Sequence, residues 1–294
     1  MRAVHVLLAD DDNEPVRRRI RLALGSDIEV TTGSMVPAPG SSLLLAPHVF
    51  DQAAQRSILR RHDWRSIHLS SAGYDFFSMT DVPRDAWVTR SWRAYAAPLA
   101  EYVLRALLRH AWDAAGSGLR GRQVGVVGYG EVGRRVVDIL ALLEARTIVL
   151  RRSGAAVHNA AATNDVRDLL AVQHLVLTVP LNRDSEGMIG RGFLTGCSPG
   201  LHLVNVSRGE LIDQEALLEA VQRRDVWATL DVTVPEPLPA RHPLRLEDHV
   251  HITDHIAWHS GADPYCFVDD FLEVWTKLRR GDEPSGLLRR PLSA

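Results

Sequence analysis

The chain has 294 residues, 46% hydrophobic and 24% charged, a composition typical of a globular protein and not of a disordered chain. Its 34 basic and 36 acidic residues leave a net charge of −2, which gives no indication of a nucleic-acid or membrane-surface partner. The 2 cysteines form no C-x-x-C pair, and no signal peptide or membrane span is recognisable, so we expect a cytoplasmic protein with reduced thiols.

Short apolar runs alternate with helical patterns over roughly the first 90 residues. This alternation predicts a parallel α/β layer structure. The predicted strands are Val4–Leu8, Glu29–Thr32, Ser42–Ala46, Ser66–Ser70 and Ala86–Thr89, and the predicted helices are Pro15–Leu24 and Asp51–Arg61.

An acidic turn, Asp10–Asp12, follows the first strand and resembles the opening of a phospho-receiver domain. Such a domain also needs an acceptor aspartate after its third strand, where this chain has Pro47 and His48. It needs a lysine beyond that point, and Lys277 is the only lysine. We therefore favour an exposed acidic turn without a receiver function.

A second α/β series follows a helix predicted at Pro98–Ala115, which begins with proline, a residue well suited to a first helical turn. The glycine-rich stretch 116–121 breaks the pattern. The predicted strands are Gln123–Val127, Thr147–Leu150, His174–Val179, Leu201–Val206, Val226–Leu230 and Val250–Thr253, and the predicted helices are Glu131–Leu143, Asp165–Ala171, Asp213–Arg223 and Pro264–Arg279.

A G-x-G-x-x-G motif lies between one of these strands and the next helix, which is the context that gives the motif its meaning. The first glycine permits a tight turn, the second allows the backbone to approach a pyrophosphate, and the third lets the helix pack on the strand. The motif predicts a bound dinucleotide, although a glycine turn without a ligand is the alternative. Its six residues are Gly128, Tyr129, Gly130, Glu131, Val132 and Gly133.

The end of the next strand indicates which dinucleotide is bound. NAD enzymes place an acid there, about 20 residues on, to bind the ribose 2′-hydroxyl. Here Arg151, Arg152 and Ser153 follow the strand, and no acid is present. Guanidinium groups can hold a 2′-phosphate by two parallel hydrogen bonds, so the sequence favours NADP over NAD. Two solvated arginines at a strand end remain the alternative.

Several spaced motifs, in one order, resemble the D-isomer-specific 2-hydroxyacid dehydrogenase family over almost the whole chain. The resemblance implies an oxidoreductase that transfers hydride between NADP(H) and a small 2-keto or 2-hydroxy acid. The motifs are Ser71–Asp75, Ala100–Glu101, Gly128–Gly133, Val179–Leu181, Leu203–Gly209, Gly209–Asp213, Leu230–Leu238 and Ile252–Trp258.

The resemblance assigns catalytic roles to Arg208, Glu236 and His255. A guanidinium can bind the carboxylate of a keto acid in a planar fork. A histidine can protonate the oxygen that gains charge, and a nearby carboxylate raises the histidine pKa. The alternatives are a surface ion pair for Arg208, a turn carboxylate for Glu236 and a core histidine for His255.

Weaker expectations concern the surroundings of this triad. The resemblance implies that backbone N–H groups near Ala72 and Gly73 hold the substrate carboxylate, and that Asp231 lies near the nicotinamide carboxamide. It also implies that the cofactor cleft is lined by Val179, Pro180 and Val206.

The segment after the histidine, Ile256–Trp258, is similar to that of hydroxypyruvate and glyoxylate reductases. We therefore expect Trp258 to bind substrate, with a core aromatic as the alternative. Asp254 replaces the family's usual proline, and it is expected to perturb the pKa of His255. Thr178 and Val234 also depart from the common pattern.

Five histidines lie between residues 242 and 259, but their spacing does not match a set of metal ligands, so no metal is expected. The resemblance implies a homodimer, with Pro98–Ala115 part of its interface. We predict a substrate domain at 1–97 and 260–294 and an inserted, Rossmann-like cofactor domain at 98–259. The rival functions are a non-catalytic NAD(P)-binding sensor or corepressor and a formate- or phosphite-type dehydrogenase.

Overall fold

The structure, a computed structural model, describes residues 3–8, 14–33, 35–46, 49–259, 261 and 263–292. The acidic turn Asp10–Asp12 and the Pro47–His48 pair lie outside the described residues. The chain divides into a first unit, Met1–Tyr95 with Ser260–Ala294, and a second unit, Ala96–His259. Of the helices in the described ranges, none combines the length and the apolar character needed to cross a membrane.

The first unit contains a six-stranded sheet with the strand order β13-β5-β4-β3-β1-β2. Its first five strands pair in parallel in the order 2-1-3-4-5, a doubly wound arrangement. The edge strand β13 is antiparallel to β5, which the sequence did not predict. The elements are β1 Ala3–Leu7, α1 Glu14–Leu24, β2 Glu29–Thr32, β3 Ser41–Leu45, α2 Gln52–Arg61, β4 Trp64–Leu69, β5 Trp87–Arg90, and, after the second unit, α7 Phe267–Arg280 and β13 Leu287–Arg289.

The second unit contains a seven-stranded, fully parallel sheet with the order β12-β11-β10-β9-β6-β7-β8. Its elements are α3 Ala96–Ala115, β6 Gln123–Val127, α4 Glu131–Leu142, β7 Arg146–Leu150, β8 Ala161–Thr163, β9 His174–Leu177, α5 Arg191–Gly196, β10 Leu201–Asn205, α6 Gln214–Gln222, β11 Val226–Leu230 and β12 Val250–Ile252.

The strand order of the second unit is that of a Rossmann sheet, and it reverses between β6 and β9. In open α/β sheets, ligands bind outside the carboxyl ends of the strands at this reversal. The predicted glycine motif follows β6, and Val179 follows β9. The order of the strands therefore places these predicted cofactor residues at the position where such a sheet binds a ligand.

The core explains why the central strands are almost continuously apolar. All five residues of β10 are buried, because apolar clusters cover both faces of the sheet. One cluster packs Leu203 and Leu217 of α6 on one face, and the other packs Val204 and Leu107 of α3 on the opposite face.

Most predicted elements are present, with ends that differ by at most three residues, but one predicted helix is absent and three short elements were not predicted. The helix expected at Asp165–Ala171 is a single 3-10 turn, Val166–Leu169, where the Asp165 side chain accepts a hydrogen bond from the Arg167 N–H. The short elements β8, α5 and β13 were not predicted, since three to six residues carry too little periodic signal.

Candidate active site

The glycine motif forms a turn in which two of the three glycines are sterically required. Gly128 has φ +99°, and a Cβ added there would lie 3.0 Å from the Val179 nitrogen. A Cβ on Gly133 would lie 2.3 Å from the Gly128 carbonyl oxygen. These contacts hold the start of α4 against the ends of β6 and β9.

Gly130 is different, because a Cβ added there would meet nothing within 4 Å among the described residues. Gly130 is exposed and is the N-cap of α4, so it lies directly before the helix N–H groups that have no partner within the helix. A helix N-terminus with unobstructed backbone is suited to bind phosphate. The geometry therefore fits the pyrophosphate of a dinucleotide.

Thr178 supports this turn, a role that the sequence did not reveal. Its hydroxyl donates to the Val127 carbonyl at 2.9 Å and lies 3.3 Å from the Gly128 carbonyl. The hydroxyl also lies 3.0 Å from the Cβ position of Gly133. A threonine here therefore occupies the space beneath the turn and fixes its carbonyl groups.

Two arginines lie over the ring of Tyr129. The guanidinium carbons of Arg134 and Arg151 are 5.5 Å and 5.7 Å from the ring centroid, a separation typical of cation–π contacts. Arg152 is largely exposed and lies 3.5 Å from the Asp184 carboxylate. Ser153 accepts a hydrogen bond from the Ala155 N–H. The end of β7 therefore presents guanidinium groups next to the predicted dinucleotide turn.

The remaining predicted cofactor residues lie at the same end of the sheet. Val179 and Val132 are partly buried against the apolar clusters, and Val206 is buried directly after β10. The Val179 carbonyl accepts a hydrogen bond from the Ser207 hydroxyl, and the Pro180 carbonyl accepts one from the Ser185 hydroxyl at 2.8 Å. Glu131, in the first turn of α4, lies 3.7 Å from Arg134.

His255 and Glu236 form a hydrogen-bonded pair in the second unit. Nδ1 of His255 lies 2.9 Å from Oε2 of Glu236, whose other oxygen accepts the Thr233 N–H at 3.1 Å. The His255 side chain is 45% exposed, so it is not a core histidine. Because an ionised carboxylate can only accept, Nδ1 donates the proton and Nε2 is the atom left to react.

The pair shifts the pKa values of both groups in opposite directions. The hydrogen bond to Glu236 raises the pKa of His255 and outweighs burial, while the charges of Glu236 and Asp231 raise it further and Arg208 lowers it. Burial acts to raise the pKa of Glu236, but the hydrogen bond and charge of His255, with Arg208, lower it overall. The arrangement favours a protonated imidazole beside an ionised carboxylate.

Arg208 acts on both members of this pair electrostatically, so the structure brings the three predicted catalytic residues together. The Asn205 side-chain amide donates a hydrogen bond to the Arg208 carbonyl at 2.7 Å, and the Arg208 guanidinium donates one to the Ser207 carbonyl at 2.7 Å. The next residue, Gly209, is so close to the Thr233 backbone that a Cβ would lie 2.4 Å from its carbonyl carbon. Glycine thereby allows the turn carrying Arg208 to approach the segment carrying Glu236.

Asp231 is almost fully buried and anchors the loop that carries His255. Its carboxylate accepts hydrogen bonds from the N–H groups of Ile256 and Ala257 at 2.9 and 3.0 Å and from the Thr253 hydroxyl at 2.6 Å. Tyr102 of α3 lies 2.6 Å from the same Thr253 hydroxyl. His255 has φ +54°, an unusual value for a non-glycine residue, and these bonds hold the backbone around it. The predicted contact of Asp231 with the nicotinamide stays a prediction.

Gln214, at the start of α6, is a positioning residue that sequence reasoning missed. Its amide donates to the Val234 carbonyl at 2.6 Å and accepts the Val234 N–H at 3.1 Å. The side chain thus forms hydrogen bonds with both backbone groups of Val234, the residue two positions before Glu236. The only available signal was its position directly after Asp213, which caps α6.

Two residues near the histidine have defined partners. The Asp254 carboxylate pairs with Arg245 at 2.5 Å, and its expected effect on the pKa of His255 stays a prediction. The indole N–H of Trp258 donates to the His255 carbonyl at 2.7 Å, and the residue is 39% exposed. Trp258 is therefore a partly exposed side chain fixed to the backbone of His255, not a core aromatic.

Ala72 and Gly73 belong to the first unit, in the loop after β4. The Ala72 carbonyl accepts a hydrogen bond from Arg90 at 2.7 Å, and the Gly73 carbonyl accepts one from the Ser71 hydroxyl at 2.8 Å. Arg90 also lies over the Tyr74 ring, at 5.8 Å. The loop predicted to bind a carboxylate therefore lies next to a guanidinium that the sequence did not single out.

Comparison with known proteins identifies the family to which this chain is similar. The family model described as "D-isomer specific 2-hydroxyacid dehydrogenase, NAD binding domain" matches residues 99–257. Erythronate-4-phosphate dehydrogenase of Pectobacterium carotovorum subsp. carotovorum is 30% identical over 91% of this chain and 72% of its own length. Glyoxylate/hydroxypyruvate reductase A of Serratia proteamaculans is 29% identical over 56% of this chain, and the match spans about half (54%) of that protein.

Solved structures share the fold over nearly the whole chain. A D-isomer specific 2-hydroxyacid dehydrogenase from Xanthobacter autotrophicus Py2, in complex with NADPH and MES, has a TM-score of 0.81. It is 24% identical, and the match covers 98% of each chain. At this level of identity the likeness concerns the fold, which consists of two parallel-sheet α/β domains.

Proposed function

The chain belongs to the D-isomer specific 2-hydroxyacid dehydrogenase family, and from this premise we propose that it is an NADP-dependent reductase of a small 2-keto acid. The observation that carries the proposal is the His255–Glu236 pair at 2.9 Å, within the electrostatic reach of Arg208. These groups supply what such a reduction requires of a protein, namely a proton donor, a carboxylate that keeps it charged, and a cation for the substrate carboxylate.

In the proposed mechanism, Arg208 binds the substrate carboxylate and orients the keto group towards His255. The nicotinamide cofactor, when bound, supplies the hydride that the keto carbon accepts. As negative charge develops on the keto oxygen, Nε2 of His255 gives it a proton, while Glu236 keeps hold of Nδ1 and stabilises the ring. In the oxidation direction, the neutral imidazole of His255 takes the proton from the hydroxyl.

We assign the dinucleotide to the second unit, in the open space beside Gly130 at the N-terminus of α4. NADP is favoured over NAD because Arg151 and Arg152 follow β7, at the chain position where NAD enzymes have the acid that binds the ribose 2′-hydroxyl.

For the substrate, we propose a short keto acid of the glyoxylate or hydroxypyruvate type. The Serratia relative carries that name, and Trp258 presents an indole fixed to the His255 carbonyl at 2.7 Å. A phosphorylated 2-hydroxy acid is the second candidate, because the erythronate-4-phosphate dehydrogenase matches 91% of this chain. We further propose a cytoplasmic homodimer with α3 in its interface, a state that light scattering after gel filtration would test.

The decisive experiment is a panel of keto acids assayed with NADPH and NADH in parallel. The panel contains glyoxylate, hydroxypyruvate and phenylpyruvate, with erythronate 4-phosphate and formate in the oxidation direction. We expect the highest kcat/KM with NADPH and one of the two short keto acids. Cofactor binding without turnover of any compound would favour a sensor and overturn the proposal, and oxidation of formate alone would indicate the other rival.

The cofactor preference is tested separately with Arg151→Ala and Arg152→Ala. We expect each change to raise the KM for NADPH about tenfold while the KM for NADH stays within about twofold, since only the 2′-phosphate contact is lost. Arg167→Ala is the control, because this arginine pairs with Asp165 on the surface. Equal effects on both cofactors would contradict the assignment.

A further inference from the structure

Three histidines, distant in sequence, meet on one face of the sheet in the second unit. His174 is the first residue of β9, and its register partner on β10 is His202. His110 lies on α3, which packs over this face. The cluster is at the amino ends of the strands, whereas the dinucleotide turn, Arg208 and Asp231 all follow their carboxyl ends.

The ring nitrogens of this cluster are close enough to share one ion. One nitrogen from each ring can be chosen so that all three lie within 4.8 Å of one another. Nδ1 of His174 is hydrogen-bonded to Nδ1 of His202 at 3.3 Å, a contact that a shared ion would replace. Two nitrogens bound to a tetrahedral Zn²⁺ at its usual bond length are separated by about 3.3 Å. The His174–His202 pair therefore already has the spacing of two ligands of a common metal.

The hydrogen bonding of the rings also leaves ligand atoms available. Nε2 of His202 lies 2.9 Å from the Thr229 hydroxyl, the kind of outer contact that fixes the tautomer of a ligating histidine and directs its other nitrogen inwards. Both nitrogens of His110 and Nε2 of His174 are buried without a hydrogen-bond partner among the described residues. His174 is 1% exposed, and leaving such a buried atom unpaired is unfavourable.

From this convergence we propose that His110, His174 and His202 bind a divalent first-row transition-metal ion, with zinc as the reference case. Three neutral imidazoles without a carboxylate suit zinc, cobalt, nickel or copper, and they do not suit calcium or magnesium, which need oxygen ligands. The ion would connect α3 to β9 and β10 at the amino ends of these strands, whereas the catalytic residues follow the carboxyl ends of strands. This site does not depend on the proposed dehydrogenase function.

The surroundings keep the three rings in the neutral form that binds metals. Burial lowers the pKa of His174 to about 3 and of His110 to about 4, and it lowers that of His202 well below its usual value. Arg122 acts on His110 and His174 in the same direction, and Asp113 opposes it at His110. At neutral pH each ring is therefore uncharged and carries a lone pair on one of its two nitrogens.

Apart from a metal, the cluster has a structural explanation, which is aromatic packing around the hydrogen-bonded His174–His202 pair. The rings of His110 and His202 are stacked at 4.3 Å with an interplanar angle of 17°, and Trp227 lies edge-on to His110 at 5.2 Å. Packing alone would be preserved if His110 were replaced by an aromatic ring without nitrogen. His110→Phe therefore separates the two explanations, because it removes a ligand atom and keeps a ring in place.

The test is a titration of the full-length protein, freed of metal with a chelator, with Co²⁺. We expect one Co²⁺ per chain, with the visible absorption of a tetrahedral site, displaced by Zn²⁺. We also expect saturating Zn²⁺ to raise the unfolding temperature, since an ion that binds only the folded state stabilises it. His110→Phe should bind at least 100-fold more weakly and show no shift in unfolding temperature.

His62→Phe is the matched control, because His62 is also a partly exposed ring packed against a tryptophan, Trp64, but lies outside the cluster. It should bind Co²⁺ as the wild type does. Circular dichroism without metal checks that both variants fold, and if His110→Phe does not, His110→Gln serves in its place. Failure of the wild type to bind, or equal binding by wild type and the His110 variant, would overturn the proposal.

Discussion

The imidazole of His255 is the group whose removal should be most damaging to turnover. We expect His255→Ala to lower kcat for keto-acid reduction by about 10²–10⁴-fold, because the proton donor is lost. The affinity for NADPH, measured by fluorescence titration, should change less than about threefold, since the dinucleotide turn is formed by other strands. His251→Gln is the control, because His251 lies in β12, four residues before His255, and is not part of the His255–Glu236 pair. This variant should retain full activity. An active His255→Ala enzyme would remove this residue from the mechanism.

The carboxylate of Glu236 should set the pH range of the reaction. Reduction needs protonated His255, so kcat falls as pH rises through the pKa of this group. Because the bond to Glu236 raises that pKa, Glu236→Gln should move the fall in kcat to lower pH. The measurement is kcat against pH for both enzymes. An unchanged profile would show that Glu236 does not control the imidazole, whatever the loss in absolute rate.

The same pair affects stability with a definite sign. His255 has a raised pKa in the folded state, so its contribution is fully present below the pKa of the unfolded chain and is lost as pH rises through the folded value. Glu236 has a lowered pKa, so its contribution is lost as pH falls through its folded value. Both groups are partly exposed, and their joint effect on folding is accordingly smaller than their effect on catalysis.

At the scale of elements, substitutions in the β6–α4 turn distinguish an effect on cofactor binding from an effect on folding. Among the residues that the structure describes, nothing lies within 4 Å of a Cβ at Gly130, whereas a Cβ at Gly133 would lie 2.3 Å from the Gly128 carbonyl oxygen. Gly130→Ala should therefore change the free energy of unfolding by no more than about 1 kcal/mol, and weaken NADPH binding at least tenfold. Gly133→Ala should destabilise the protein by about 1–3 kcal/mol through overpacking.

Urea unfolding and NADPH titration of the two variants together check this prediction. Undiminished NADPH binding by Gly130→Ala would show that no phosphate approaches this backbone. In that case the dinucleotide would have to be assigned to another part of the sheet.

The elements show which parts of this structure are encoded locally. Strands such as Val226–Leu230 were predicted to the residue, because a buried parallel strand is a continuous apolar run. The Gly128 turn was recognisable, since it depends on glycine at three positions. The β13 strand could not be predicted, because its pairing with β5 joins residues about 200 positions apart.

The candidate site could likewise be predicted from the sequence where its residues belong to local motifs. Arg208, Glu236 and His255 follow strand ends in recognisable motifs, and the structure brings them together. Gln214 and Thr178 act through single contacts with backbone groups, which leave no pattern in the sequence. The three histidines of the proposed metal site come from a helix and two strands, so their spacing in sequence has no ligand signature.

At the scale of the whole molecule, buried histidines occur in both sheets. His5 and His68 lie in the sheet of the first unit and His174 and His202 in the sheet of the second, where the partly buried His110 of α3 packs against them. Burial lowers the pKa of all five, to about 4 for His5 and about 3 for His68. A folded state that resists protonation while the unfolded chain accepts it loses stability in acid.

The direction and the range of this loss follow from the pKa values. Below pH 6.5 the unfolded chain binds protons that the folded chain does not, so the free energy of unfolding decreases as pH falls, and the decrease ends near the folded values of about 3 to 4. Well inside this window, each fully buried histidine contributes up to about 1.4 kcal/mol per pH unit. His255 acts in the opposite direction, but it is one partly exposed group against five.

We therefore expect the free energy of unfolding, measured with urea in the presence of a chelator, to fall by several kcal/mol between pH 7 and pH 4.5. His68 offers a specific check, because its two nitrogens contact the hydroxyls of Thr89 and Ser91 at 2.9 and 3.2 Å. His68→Gln should be less stable at pH 7. Its free energy of unfolding should also depend less steeply on pH, because glutamine lacks the group that titrates only in the unfolded chain. A slope equal to that of the wild type would mean that His68 is protonated in the folded protein, which its burial opposes.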